Sequence, residues 1–341
     1  MLMIAGRILL FILLLILLSL PALPNESFAR LAISCRSRDH LIPAHILDPS
    51  ASYPESPIQV QGRLYFVEYS RDQVAMIDLR SKHKRKKVFW KKNGCGPAAI
   101  TPFKTGQSFL VACYNDHSIA QISVQGRHIQ SIRPNLPHQM VGPNDFTHDS
   151  MGGIYFSASG VFDPTAPVQG KLFYLSPKLE LTEVAENIHY SNGVSVLQDE
   201  DSLITSEHFK NRILKYRILS PGKLSSPPEI FSDLTQLTPP NRNLSPGYLG
   251  PDGLRQAPDA TLYVAQYGGA RVIHLNREGK YINQIRIQGR FSQTTNVWPT
   301  EDTLIISLHQ DYPKAQYPGV IIQIDKLKQA NSSNIDCKIQ E

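Results

Sequence analysis

Beyond position 50 the apolar residues come in short bursts, not at helical spacing. Six bursts stand out: Leu64-Tyr65-Phe66-Val67, Phe109-Leu110-Val111-Ala112, Ile154-Tyr155-Phe156-Ser157, Leu203-Ile204-Thr205-Ser206, Leu262-Tyr263-Val264-Ala265 and Leu304-Ile305-Ile306-Ser307. Their starts lie 45, 45, 49, 59 and 42 residues apart. A turn and a further run rich in β-branched and aromatic residues follow each, at 73–78, 118–123, 171–176, 212–217, 271–276 and 319–325. Runs of this kind bounded by Gly, Pro, Asn and Asp are strands. A strand-built period of about 40–50 residues predicts one four-stranded sheet per repeat around a common axis. The pattern therefore predicts an all-β fold, a six-bladed β-propeller of four-stranded antiparallel blades. The fourth strands are weaker, as at 86–90 and 281–286, and none follows Asp325. Residues 41–47 are expected to supply that strand from the N-terminal side and close the ring.

The start of the chain breaks this pattern. Arg7 precedes an unbroken apolar run from Ile8 to Leu18, then Pro21 and the small-residue site Ser27-Phe28-Ala29. A basic residue, a short apolar core and a small-residue site predict a signal peptide over 1–29. An uncleaved anchor is the alternative. Residues 30–341 are then a single propeller domain, secreted or periplasmic, with no stable membrane span after signal removal. Export permits disulfides. Cys35 and Cys337, near the two ends of that domain, are the expected bond. Four cysteines allow three connectivities, and Cys95 and Cys113 are a second pair or buried thiols.

Composition narrows the class. Hydrophobic residues at 41% and charged residues at 19% support a buried core. The 25 prolines and 21 glycines exclude a coiled coil. A formal charge of +6 is too small to indicate a nucleic-acid binder. The run Lys82-His83-Lys84-Arg85-Lys86-Lys87, with Lys91 and Lys92, falls on the outer edge of the first repeat, where lysines block sheet-to-sheet pairing.

In a propeller the first strand of each blade lines the axis, so equivalent positions of distant repeats meet there. The triplets at that point are Glu55-Ser56-Pro57, Gly96-Pro97-Ala98, Pro143-Asn144-Asp145, Ser191-Asn192-Gly193, Pro251-Asp252-Gly253 and Thr295-Asn296-Val297. Glu55, Asn144, Asn192, Asp252 and Asn296 fall at or beside one register. Carboxylate and amide oxygens suit a hard divalent cation, calcium above all, with Mg2+, Mn2+ and Zn2+ as the other candidates. Taken singly, each reads more readily as a turn residue than as a ligand; the register-matched set reverses that reading.

These stretches carry a resemblance. E-S-P at 55–57, G-P-N-D-F-T-H-D-S-M-G-G-I-Y-F at 142–156, S-N-G-V at 191–194, G-P-D-G-L at 250–254 and Y-V-A-Q-Y-G-G-A-R-V at 263–272 lie in order over about 50–325. The chain resembles the senescence marker protein/regucalcin and gluconolactonase family of six-bladed propellers. The resemblance implies a divalent metal held by Glu55, Asn192 and Asp252, with Asn144 as a fourth ligand or a substrate contact. It also implies lactone hydrolysis with Asp252 as general base. Two positions depart from the pattern. Gly142 stands where regucalcin-like members carry an arginine that contacts an acidic sugar. Ser157-Ala158-Ser159-Gly160 stands where bacterial gluconolactonases carry an aspartate.

The ends of the second strands are expected to rim the mouth above the metal. His208 and His309 are candidates for proton transfer there. Glu207, Tyr267 and Asn144 are candidates for substrate binding. His148 and His189 are weaker candidates. Long insertions at 160–170 and 232–250 would wall the same mouth. No G-x-S-x-G or H-E-x-x-H is present, against serine-hydrolase and zincin chemistry. The expected function is calcium-dependent hydrolysis of a small-molecule lactone or ester by a monomer. A noncatalytic ligand- or protein-binding propeller with a structural calcium is the alternative.

Overall fold

The computed structural model describes residues 31–38, 40–104, 106–135, 140–237, 247–310, 317–325 and 333–340. The expected signal peptide at 1–29 lies outside the described residues, as do 238–246 of the second insertion. The described chain is all-β apart from single turns of 3-10 helix, and its strands form six sheets.

Each sheet is built on an antiparallel meander of three or four consecutive strands, in a propeller-like arrangement. The first runs Pro54–Val60, Arg63–Glu68, Gln73–Asp78, Lys86–Lys91. The second runs Pro97–Phe103, Ser108–Cys113, Ser118–Ser123, His128–Ile132, and the third Pro143–His148, Ile154–Ala158, Gly170–Leu175, Leu181–Ile188. The fourth comprises Ser191–Val196, Ser202–Glu207 and Arg212–Ser220, with Glu229–Asp233 and the short Lys223–Leu224 paired to the last. In each of these sheets the second strand is buried on both faces, which is why it reads as a continuous apolar run and not as an alternation. Its side chains pack between neighbouring sheets. Tyr65, Val67 and Val74 of the first sheet meet Ile100, Val111 and Ala120 of the second. Leu64, Phe66 and Ile77 on the opposite face meet Ile305 and Ile321 of the last sheet.

The two ends of the chain are handled separately. The last sheet has Gln293–Pro299, Thr303–His309 and Pro318–Asp325, and takes its fourth strand from Ala44–Ser52. The closing strand thus begins later than the expected 41–47. Leu41 belongs instead to His40–Ile42, at the edge of the fifth sheet. That sheet runs Gly250–Gln256, Leu262–Tyr267, Arg271–Leu275 and Tyr281–Gln288, then adds Ile335–Gln340, Ala32–Ser37 and His40–Ile42 to reach seven strands. Cys35 faces Cys337 in this added layer, and they are bonded across 302 residues. The bond therefore clamps the two ends onto the fifth sheet, not onto the closing one. Cys95 and Cys113 form a second disulfide. Lys86–Lys91 is an outer edge strand with Lys87, Val88 and Lys91 exposed.

Candidate functional site

One irregularity recurs in every sheet. Pro54, Pro97, Pro143, Ser191, Pro251 and Thr294 pair with Glu68, Cys113, Ala158, Glu207, Gln266 and Leu308, and the register of the first and second strands then slips, directly after these residues in five sheets and one residue later in the first, where Glu55 still pairs with Val67. A bulge of this kind releases a residue from the ladder and re-aims its side chain. The residues next in line are Glu55, Ala98, Asn144, Asn192, Asp252 and Thr295. The expected Glu55, Asn144, Asn192 and Asp252 therefore share one structural register. Asn296 does not: Thr295 holds that place. Asn296 sits one position on, matching Asp145, and both turn Oδ1 to accept from the next backbone N–H, Phe146 at 2.9 Å and Val297 at 2.8 Å.

Asp252 lies within reach of both Glu55 and Asn192. The Asp252 carboxyl is held well above the usual carboxylate range by burial and by Asp145, against a lowering hydrogen bond from Asn192. Glu55 is raised by burial, by Asp252 and by Asp145, against a hydrogen bond from Thr295. Asn192 and Asp252 are buried, whereas Glu55 and Asn144 keep partial solvent access. Asp145, adjacent to Asn144, is bound differently. Arg255 grips it with two parallel bonds of 2.7 and 2.6 Å, and the Val194 N–H donates to it at 3.1 Å.

The second-strand ends do other work. Glu207, expected at the substrate, is engaged by the chain itself. Its carboxylate accepts from Arg212 Nε at 2.5 Å and lies 2.8 Å from His189 Nδ1, and its side chain is buried. Buried charge of that kind requires a partner, and Glu207 spends both oxygens on the partners it has. His189 is accordingly a structural contact. Glu68, at the same position of the first sheet, is held by Arg71 at 2.7 Å and Gln73 at 2.5 Å. His148 lies toward the other end of its strand, 2.7 Å from Thr101 Oγ1.

The next residue of each repeat forms an aromatic rim: Tyr69, Tyr114, His208, Tyr267 and His309, with Ser159 in the third sheet. Tyr53 and Tyr190, just ahead of two inner strands, join it. Burial and Tyr267, Glu55 and Asp252 push the Tyr53 phenol up, and Asp252 also acts on Tyr190, which places both rings beside the acids. Gly142, at positive φ, accommodates Tyr114: a Cβ there would lie 2.7 Å from that ring. The position expected to lack an arginine is thus filled by a phenol.

The two histidines are not equivalent. His208 is buried, with Nδ1 3.2 Å from the Pro251 carbonyl and Nε2 3.1 Å from the Tyr248 carbonyl. Burial holds its pKa down at about 4. With both nitrogens against backbone, it props the Tyr248–Pro251 segment and is not placed for proton transfer. His309 is also held at about 4 by burial, but only Nδ1 has a partner, the Gln310 carbonyl at 2.5 Å, while Nε2 has none among the described residues. Its ring lies 4.2 Å from Tyr53 and 5.7 Å from Tyr267.

Comparison with known proteins gives the context. The profile of the SMP-30/gluconolactonase/LRE-like region matches residues 53–310. The chain belongs to this family. Lactonase drp35 of Staphylococcus aureus is 30% identical over 242 residues, covering 67% of this chain and 68% of that protein. A luciferin-regenerating enzyme superposes with a TM-score of 0.69 at 19% identity, over 84% of this chain and 96% of that one. A calcium-binding regucalcin from Agrobacterium tumefaciens gives 0.66 at 16% identity, over 83% and 94%. The last two show the fold.

The donor chemistry fits a divalent cation of the kind the family implies. Among the described residues no group of three or more His, Cys, Asp or Glu side chains is arranged to hold a metal. The candidate oxygens instead come from two acids and from carboxamides, and among the described residues neither Glu55 nor Asp252 makes an ion pair. A buried acid that raises its neighbour, as Asp252 raises Glu55, calls for a proton or a cation beside it. The alignment by triplets missed Thr295, because a bulge leaves no mark in sequence. It also passed over Asp145, Arg255, Tyr53 and Tyr190, although Tyr53 and Tyr190 are readable as the residue before an inner strand.

Proposed function

We propose that the chain is an exported, calcium-dependent hydrolase of lactones or related esters on a six-bladed propeller. The observation that carries this is the pair Glu55 and Asp252, at equivalent positions of two different inner strands, which lie together without a cationic partner among the described residues. The curated lactonase relative supports the reaction class. The six sheets support the blade count. Two disulfides with no free cysteine support export, and among the described residues no helix is long and apolar enough to cross a membrane.

Glu55, Asn192 and Asp252, with Asn144 beside them, would hold the cation. The chemistry it supplies when bound is polarisation of the scissile carbonyl and stabilisation of the charge that develops there. Asp252 takes the proton from the attacking water, and the Asn192 carboxamide fixes its orientation. Arg255 neutralises Asp145, so only two of the three neighbouring acids remain for the site. Tyr53, Tyr267 and His309 bound the substrate. His309 Nε2, neutral near pH 7, is placed to accept a proton and not to donate one.

The test is metal analysis of the purified chain joined to a lactone and ester screen with and without chelator. About one equivalent of calcium, turnover that chelator removes and calcium restores, and loss of turnover in Asp252→Asn are expected. Tightly held zinc, or turnover indifferent to chelator, overturns the cation assignment. Binding of calcium without turnover of any lactone or ester points to the noncatalytic reading.

A further inference from the structure

The 160–170 insertion is the part of the mouth that the repeat does not require. It places one side chain, Phe162, against the rim. The ring centroid of Phe162 lies 5.0 Å from Tyr190, 5.3 Å from His208, 5.5 Å from Phe209, 5.3 Å from Tyr248 and 5.7 Å from Tyr267. Tyr190 and Tyr267 belong to the rim around Asp252, so Phe162 bridges two sides of the opening while keeping partial solvent access.

Phe162 is also fixed in place. The Tyr114 hydroxyl donates to the Gly160 carbonyl at 2.6 Å, and the Gly160 N–H donates to Val141 at 2.9 Å. On the other side Asp163 accepts from the Thr165 N–H at 2.8 Å and hydroxyl at 2.7 Å, closing a turn. A side chain pinned from both directions acts as a preformed wall, which lowers the ordering cost of binding.

The rim offers few free polar groups on this side. The Tyr190 hydroxyl donates to that of Tyr114 at 3.3 Å, which is itself committed to Gly160, and the Tyr69 hydroxyl donates to Asn115 at 2.8 Å. Among the described residues, a ligand group on the Phe162 side of the mouth meets ring faces, and a polyhydroxylated group there would lose water without matching partners.

We propose that Phe162 is a specificity-determining residue, and that it selects lactones or esters carrying a flat apolar group next to the reacting carbonyl over polyhydroxylated ones. This deepens the lactone-hydrolase reading and rests on it. Aromatic contact of this kind discriminates through offset and edge-to-face packing. One apolar pocket contact is worth about ten- to two-hundred-fold between substrates.

The test compares kcat/KM for a benzo-fused six-membered lactone and for a polyhydroxylated six-membered lactone. The full chain is used as wild type, Phe162→Ala, Phe162→Tyr and the exposed loop control Val168→Ser, with thermal melts to confirm folding. The wild type is expected to favour the benzo-fused lactone. Phe162→Ala should lower its kcat/KM about ten-fold or more, chiefly through KM, and leave the polyhydroxylated lactone unchanged. Phe162→Tyr and Val168→Ser should retain the preference. Equal loss on both lactones, no loss on either, or a wild-type preference for the polyhydroxylated one overturns the proposal. Binding of the benzo-fused lactam, a non-hydrolysed isostere, is measured by titration calorimetry to separate it from the reaction reading. If no lactone is hydrolysed but Phe162→Ala weakens lactam binding about ten-fold, the pocket assignment stands and the reaction reading fails. If the lactam does not bind the wild type, the pocket assignment fails.

Discussion

Glu55 and Asp252 differ from Asp145, Glu68 and Glu207 in one respect. All five lie in or beside the inner strands, and the latter three each have a cation of the chain beside them: Arg255, Arg71 and Arg212. Glu55 and Asp252 have none among the described residues, and burial and repulsion raise both. Burying an acid without a partner costs stability. That three of these acids are neutralised and two are not is what supports the proposed cation site at Glu55 and Asp252. The contrast separates structural acids from the proposed site better than residue type does, since Glu207 was as plausible as Glu55 from sequence.

The sharpest way to break the contrast is Asp252→Asn. Turnover is expected to fall about 10³-fold or more, the scale of a lost general base, while the melting temperature holds or rises because a repulsion is removed. Activity near the wild-type level in a hydrolysis assay would remove Asp252 from the mechanism. Next is Arg255→Met, which strands Asp145. Chemical denaturation should show a loss of about 3–5 kcal/mol, and adding Asp145→Asn should recover much of it. An unchanged midpoint would mean that the pair does not anchor the inner strands.

Calcium should then act on one group only. Saturation to about a hundred-fold above Kd is expected to stabilise the wild type by about 2–3 kcal/mol and leave Asp252→Asn unmoved. A thermal shift of equal size in both proteins would place the ion elsewhere. His208 sharpens the picture through pH. Its folded pKa of about 4 lies below the unfolded value, so its contribution is complete above about pH 6.5 and is lost as pH falls toward 4. The loss is about 2–3 kcal/mol, and His208→Gln should flatten that part of the stability curve. The smallest effect is Glu207→Gln, about 1–2 kcal/mol of stability with kcat/KM of the folded enzyme unchanged. A selective fall in kcat/KM would return Glu207 to the substrate.

Much of the fold could be read from the repeat. The six bursts Leu64–Val67 through Leu304–Ser307 are apolar on both faces because each second strand is packed from both sides. The Pro, Asn and Gly residues ahead of the inner strands mark where each repeat begins. Other features were out of reach. Asn296 looks like a fifth member of the oxygen set until the strand pairing slips by one residue and puts Thr295 there. His208 and His309 occupy the same repeat position, yet one has both nitrogens against backbone carbonyls and the other has no partner for Nε2 among the described residues.

By itself the sequence determined the all-β repeat, the in-phase recurrence of Glu55, Asn144, Asn192 and Asp252, and the two cysteines at the chain ends. These follow from side-chain periodicity and spacing, which are local properties. Only the tertiary structure decided which acids are neutralised, that the ends join the fifth sheet, and that Phe162 stands at the mouth. Those outcomes depend on bulge registers and on contacts such as Arg255 with Asp145, 110 residues apart, and no local pattern encodes a partner that distant.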